Sequence, residues 1–100
     1  MQDRIQFSSC VALADDARFR SVCGEGVVLN QETAEVLVIS PVASRVLELM
    51  KQDGSIAVIL SRLREEYDVE DDALERDVLA FLNEMAAAGA VRPAVGVSAR

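Results

Sequence analysis

The chain has 100 residues, of which 51% are hydrophobic and only 4% aromatic, and it carries a net charge of −7 and no histidine. This length supports one small domain with a single, mainly aliphatic core. The negative charge disfavours nucleic acid and anionic membrane surfaces as partners, because both attract clustered Lys and Arg. The sequence has no Ser/His/Asp set, Cys/His pair or Gly-rich phosphate loop, which predicts a protein that is not an enzyme and has no metal and no cofactor.

Residues 1–16 are predicted to form an N-terminal arm, in which apolar residues from Ile5 to Leu13 alternate loosely enough for a strand or an arm across the domain. They lack the basic start and apolar block of a signal peptide. No apolar run approaches the ~18 residues that a membrane span requires. The expected location is therefore cytoplasmic. Cys10 and Cys23 are expected to be reduced thiols, with a disulfide as the alternative.

Three strands are predicted next, at 18–23, 27–30 and 34–40, with a turn at 24–26 and a hairpin loop at 31–33. Together they form a three-stranded antiparallel meander. The last strand is apolar on both faces, and a strand packed on helices needs only one. Its second face is therefore expected to be covered, either by the N-terminal arm or by a partner.

Three helices are predicted to follow, each with recognisable end signals. Ser40 and Pro41 are a cap and a first-turn proline, and the first helix ends at Gly54. Ser55 is expected to cap the second helix. For the third, Asp72 with Glu75 has the capping-box spacing, and Gly89 ends the helix. Residues 90–95 are expected either to add a short strand or to fray.

This order of elements predicts an α+β, winged-helix-like fold, with an N-terminal three-stranded antiparallel sheet followed by three helices. The domain is expected to span 17–92 and to be followed by a flexible tail at 93–100. A DNA-binding winged helix is disfavoured, because the stretch 69–91 contains one basic residue, Arg76, and six acidic residues, which would be repelled by the phosphate backbone. The acidic run at 65–77 is interpreted as a solvated, helix-capping surface rather than a cation site.

The stretch 39–91 contains Asp53-Gly54, then "REEYDV" (64–69), an acidic spacer, "DVLAFLNEM" (77–85) and Gly89, and it follows the hairpin "GEGVVLNQETAEVLVIS" (24–40). In order and spacing these pieces resemble the PqqD family. The resemblance implies a recognition element and chaperone for ribosomally synthesised precursor peptides, in pyrroloquinoline quinone biosynthesis or another pathway. It implies that the peptide's leader adds as a strand beside the third strand, in a groove against the third helix. It further implies presentation to a modifying enzyme, commonly a radical S-adenosylmethionine enzyme.

The residues fit this implication in two places. The third strand is an edge that a peptide could extend, and the third helix has a second face with i, i+3, i+4, i+7 spacing. The predicted peptide-binding residues on these two elements are Val36, Leu37, Val38, Ile39, Arg76, Leu79, Ala80 and Asn83. On this hypothesis the strand pairs with the leader, Leu79 and Ala80 make apolar contacts, and Arg76 meets an acidic leader residue.

Each of these predictions has a structural alternative. In the alternative, the strand residues belong to the core, Leu79 packs on the N-terminal arm instead of on a peptide, and Arg76 pairs with Asp72 or Glu75 instead of with a leader residue. At the level of function, the alternative is a protein–protein docking or regulatory subunit with no peptide leader as ligand, marked by a large apolar patch. Homodimerisation through the same exposed edge is a further alternative.

Overall fold

The computed structural model describes Ile5 and residues 9–22 and 25–94, without the side chain of Val22. Its elements in chain order are β1 (Val11–Leu13), β2 (Ala17–Val22), β3 (Glu25–Asn30), β4 (Glu35–Ile39), α1 (Pro41–Gln52), α2 (Ile56–Glu66), α3 (Asp71–Ala87) and β5 (Val91–Pro93). The predicted α+β class, a three-stranded antiparallel sheet followed by three helices, is confirmed. Cys23, which was predicted to be a reduced thiol, lies outside the described residues.

The larger sheet is an antiparallel meander in the order β2-β3-β4. The prediction of a turn at 24–26 was wrong for two of its residues, since β3 already begins at Glu25 and Gly26 pairs with both Ser21 and Ile39. The glycine is needed for packing: a Cβ there would lie 2.7 Å from Cγ1 of Ile39 and 2.9 Å from Cε1 of Phe19. The absence of a side chain at Gly26 thus makes room for the side chains of Ile39 and Phe19, which pack against it.

A second, two-stranded sheet joins the two ends of the described chain. In it β1 pairs antiparallel with β5, with Val11 opposite Pro93 and Leu13 opposite Val91. The pairing continues into the bond from Ala94 N–H to the Cys10 carbonyl at 2.7 Å. Of the two outcomes expected for 90–95, the short strand is the one that forms.

The first two helices begin at the predicted caps. Ser40 Oγ accepts the N–H of Ala43 at 3.1 Å, and Ser55 Oγ accepts the N–H of Val58 at 3.4 Å. The capping box predicted at Asp72 was wrong: the N-cap of α3 is Glu70, whose side chain makes no capping bond. Asp72 instead lies in the first helical turn, where its negative charge interacts favourably with the positive end of the helix dipole.

The turn between α1 and α2 carries the Asp53-Gly54 pair and packs against β1. Val11 N–H donates to the Gly54 carbonyl at 2.8 Å, and Ile56 N–H donates to the Ser9 carbonyl at 3.1 Å. A Cβ on Gly54 would collide with the Val11 carbonyl oxygen. The glycine is therefore required for the close approach of β1 to this turn.

The core lies between the three helices and one face of the larger sheet. Its largest fully buried side chains are aliphatic: Leu47, Ile56, Ile59, Leu60, Leu63, Leu82, Val11, Val28 and Val46. One buried polar residue, Asn30, ties the hairpin loop to the end of α3. Its Nδ2 donates to the Ala88 carbonyl at 3.1 Å, and its Oδ1 accepts the N–H of Glu32 at 3.0 Å.

Candidate functional site

Strand β4 is an edge strand, because one of its sides pairs with β3 and no described strand pairs with the other. Ile39 is buried in the core and Leu37 is half-buried, whereas Val36 and Val38 on the opposite face are 59% and 69% exposed. The face with Val36 and Val38 was expected to be covered either by the N-terminal arm or by a partner. In the described residues the arm does not cover it, since Ile5 packs on α3 instead. The edge therefore offers unpaired backbone groups to an added strand.

An open groove of about 430 Å³ begins where β4 ends. Its walls come from the start of α1, the loop between α2 and α3, and the N-terminal half of α3. The lining residues are Ser40, Val42, Ala43, Val46, Tyr67, Val69, Ala73, Leu74, Asp77, Val78 and Phe81. All but three of these side chains are aliphatic or aromatic without a polar group, so the groove can take up apolar groups.

Exposed apolar side chains concentrate at the edge strand and the groove. In the part of the chain that the structure describes, the exposed large hydrophobic residues are Val36, Val38, Val42 and Val69. Two of them lie on β4 and the other two line the groove. Beneath them, Leu74 and Val78 are buried and anchor the groove to the core. Exposed apolar residues gathered in this way are typical of an interaction surface rather than of ordinary solvent-facing positions.

The structure separates the two halves of the predicted peptide-binding set. Val36 to Ile39 lie on β4 as predicted, beside the groove. The α3 residues that line the groove are instead Ala73, Leu74, Asp77, Val78 and Phe81. A helix turns by about 100° per residue, so Arg76, Leu79 and Asn83 lie on the opposite side of α3, and Ala80 lies between the two sides. Peptide contact through these four residues stays a prediction that requires a second surface on the helix.

Part of that second surface is occupied by Ile5. The side chain of Asn83 makes two hydrogen bonds with the backbone of Ile5, at 3.0 and 3.2 Å, and Leu79 is half-buried against the core. Arg76 is exposed, and among the described residues its side chain makes no ion pair or hydrogen bond, with Asp72 and Glu75 included. The side chain of Ala80 is exposed as well.

Two ion pairs connect the elements that form the walls. Arg45 of α1 binds Glu66 of α2 through Nε to Oε1 at 2.9 Å and Nη2 to Oε2 at 2.7 Å. These hydrogen bonds hold the pKa of Glu66 below its ordinary value, against the opposing effect of desolvation. They likewise raise the pKa of Arg45, with a smaller contribution from Glu48. Arg64 pairs with Asp71 at 3.0 Å and so links α2 to the start of α3.

Sequence reasoning missed the two valines at the groove rim, although each carried a signal. Val42 is an apolar residue in the first turn of α1, directly after the cap and the proline. Val69 is an isolated apolar residue within the acidic run. Either valine alone would be ordinary on a solvated surface, and the signal becomes informative only because the two lie together beside the exposed valines of β4.

The described residues show neither a metal-binding cluster nor a membrane-spanning helix. They contain no group of three or more His, Cys, Asp or Glu residues arranged to hold a metal ion. Among the same residues, no helix is both long and apolar enough to cross a membrane.

Comparison with known proteins identifies a family whose model matches this chain and a solved structure with a similar fold. The family model described as "Coenzyme PQQ synthesis protein D (PqqD)" matches residues 25–91. No curated protein matches the chain. A solved structure of TbiB1 in complex with the TbiA(beta) leader peptide is similar, with a TM-score of 0.78 and 23% identity, covering 84% of this chain and 98% of that one. At this level of identity the likeness shows the fold.

Proposed function

Because the chain belongs to the PqqD family, we propose that it is a non-catalytic chaperone that binds the leader of a ribosomally synthesised precursor peptide. The leader adds as a β-strand to the free edge of β4, through backbone bonds along residues 36–39. Its apolar side chains enter the groove between α1 and α3. The complex is then presented to a peptide-modifying enzyme in the cytoplasm, of the radical S-adenosylmethionine type, in pyrroloquinoline quinone biosynthesis or a related pathway.

The observation that carries this proposal is the position of the four exposed valines. In strand addition, main-chain bonds supply affinity and pockets for alternate side chains supply specificity. Strand β4 has the free edge, and the groove that starts at Ser40 has the apolar pocket. The similar fold of TbiB1, whose structure includes a leader peptide, supports a leader peptide as the ligand here by analogy.

The proposal gives the leader-facing role on α3 to Leu74, Val78 and Phe81, because these residues line the groove. Val36 and Val38 contribute differently. Their side chains lie on the outer face of the sheet, where they would pack beside the side chains of an added strand. Arg76, Leu79 and Asn83 would form a second contact zone on the far side of α3, with Ala80 between this zone and the groove.

The alternative is a docking or regulatory subunit without a peptide leader. One observation favours it: the outer face of the sheet places Val27 opposite Val38 and Leu29 opposite Val36, which makes an apolar surface on β3 and β4. A folded protein could cover such a face without using the strand edge or the groove.

An amide NMR titration separates the two functions. The probe is the candidate precursor peptide encoded by a neighbouring gene, with and without its leader. For peptide recognition, chemical shifts change along 35–40 and at Val42, Val69 and Phe81, and alternate β4 amides become protected from hydrogen exchange. The protection is the sharper readout, because only an added strand bonds the N–H groups that point away from β3. Shifts that are absent or confined to the acidic run would reject the peptide function and favour docking.

A further inference from the structure

The groove has one charged wall residue among the described residues that line it, the carboxylate of Asp77. Asp77 is exposed, and within the described part of the chain it makes no ion pair or hydrogen bond through its side chain. The neighbouring Arg76 does not neutralise it, since consecutive helical residues do not face each other. A free negative charge therefore lies beside Leu74, Val78 and Phe81 in an otherwise apolar wall.

The surroundings of the groove have the same sign. Asp68 and Glu70 flank the groove residue Val69, and both are exposed. Of the three arginines on the neighbouring helices, Arg45 is engaged with Glu66 and Arg64 with Asp71, and Arg62 does not line the groove. No compensating cation thus lines the groove, and an acidic ligand would meet repulsion without a partner.

We propose that the occupant of the groove is a peptide segment that combines apolar side chains with a Lys or Arg positioned to pair with Asp77. This inference rests on the proposed function and specifies the class of leader. A bound peptide covers Asp77 and removes part of its hydration, which is unfavourable unless a cation replaces the lost water. Asp77 therefore acts as a selector: it favours a basic residue at one position of the leader and penalises a neutral or acidic one.

The leader residue that meets α3 is thus expected to be basic, whereas the sequence alone predicted an acidic one. Arg76 was predicted to meet an acidic leader residue, but Arg76 does not line the groove and Asp77 does. Adjacent residues on a helix point about 100° apart, so whether Arg76 or Asp77 faces the groove decides which charge the leader residue must carry.

The experiment uses the whole chain and a displayed library of short random peptides as the probe. Binders are sorted by NMR, and those that shift β4 and the groove are kept. Among them we expect Lys and Arg to be enriched over Asp and Glu. For one Lys-containing binder, affinity is then measured against wild type, Asp77→Asn and Asp72→Asn. Asp72 is the matched control, since it is exposed on the same helix, carries the same charge and does not line the groove.

We expect Asp77→Asn to weaken the Lys-containing peptide by about 2- to 5-fold, the range for a partly exposed ion pair, and Asp72→Asn to have a smaller effect. The same peptide with Met in place of Lys should bind Asp77→Asn more tightly than wild type, because the variant has no unpaired carboxylate to cover, and should bind Asp72→Asn like wild type. Asp77→Lys should prefer the peptide with Glu in place of Lys. Equal effects of Asp77→Asn and Asp72→Asn would overturn this inference while leaving peptide recognition intact. A library that yields no groove binder would overturn the proposed function itself, and this inference with it.

Discussion

The side-chain amide of Asn83 pairs with the backbone of Ile5 in the way that a neighbouring strand would. Its Oδ1 accepts the Ile5 N–H at 3.0 Å, and its Nδ2 donates to the Ile5 carbonyl at 3.2 Å. The same Nδ2 donates to the Leu79 carbonyl at 2.8 Å, one turn earlier in α3. Because the side chain of Ile5 is only 3% exposed, this contact ties the N-terminal segment onto the side of α3 that faces away from the groove.

Replacing Asn83 with Ala should lower the free energy of unfolding by about 1–3 kcal/mol, because the partly buried N–H and C=O of Ile5 lose their partners. Urea denaturation measures the change. The control is Glu84→Ala, an exposed neighbour without a side-chain bond in the described structure, which should stay within about 0.5 kcal/mol of wild type. Equal stability of the two variants would show that the Asn83–Ile5 contact does not hold the segment in solution.

Ala34 has a φ of 65°, a left-handed conformation that strains any residue with a Cβ. Ala34→Gly should therefore raise the free energy of unfolding by about 0.5–1 kcal/mol, after the greater chain entropy of glycine in the unfolded state is subtracted. Thermal unfolding is the measurement. Ala80→Gly, at an exposed position inside α3, is the matched control and should lower stability by about 1 kcal/mol. Loss of stability in both variants would contradict the strained turn.

The ion pair of Glu66 with Arg45 should give stability a defined pH dependence. Since the folded pKa of Glu66 is lowered, its contribution is fully present above the ordinary glutamate pKa of about 4.3 and is lost as pH falls through the lower folded value. Glu66→Gln should lower the free energy of unfolding by at most about 1 kcal/mol at neutral pH, because the pair is one-third exposed. The difference from wild type, followed by urea denaturation, should shrink below about pH 4. Glu65→Gln, which removes an equal charge at a neighbouring position without an ion pair in the described structure, is the control for the change in net charge.

The groove-facing and far sides of α3 should respond differently to mutation when a leader peptide is titrated. Phe81→Ala should weaken binding about tenfold through the loss of apolar contact, whereas Arg76→Ala should stay within about twofold. Since Phe81 also packs against the core, Val42→Ser on the opposite wall is a second test that disturbs the core less. Weaker binding for Arg76→Ala with unchanged binding for Phe81→Ala and Val42→Ser would instead assign the leader to the far side of the helix.

Local signals accounted for most of the fold. Ser40 and Ser55 cap α1 and α2 as predicted, because a serine hydroxyl satisfies a free N–H within its own turn. The alternation along β4 likewise separated Leu37 and Ile39 from Val36 and Val38. The error at the start of α3 has a simple origin: in a run of acids, several residues share the spacing of a cap, and Glu70 holds the position without a side-chain bond.

The sequence by itself determined the elements, their order and the edge strand, since propensity, capping and alternation act between residues close in the chain. Only the tertiary structure decided that β1 pairs with β5 and which side of α3 faces the groove. Hydrophobic periodicity places Phe81 and Leu79 on different sides of α3, but both sides carry apolar residues, so periodicity does not show which side meets the groove. The choice depends on what each side meets in space: the N-terminal segment binds at Asn83, and the start of α1 lies across from Val78.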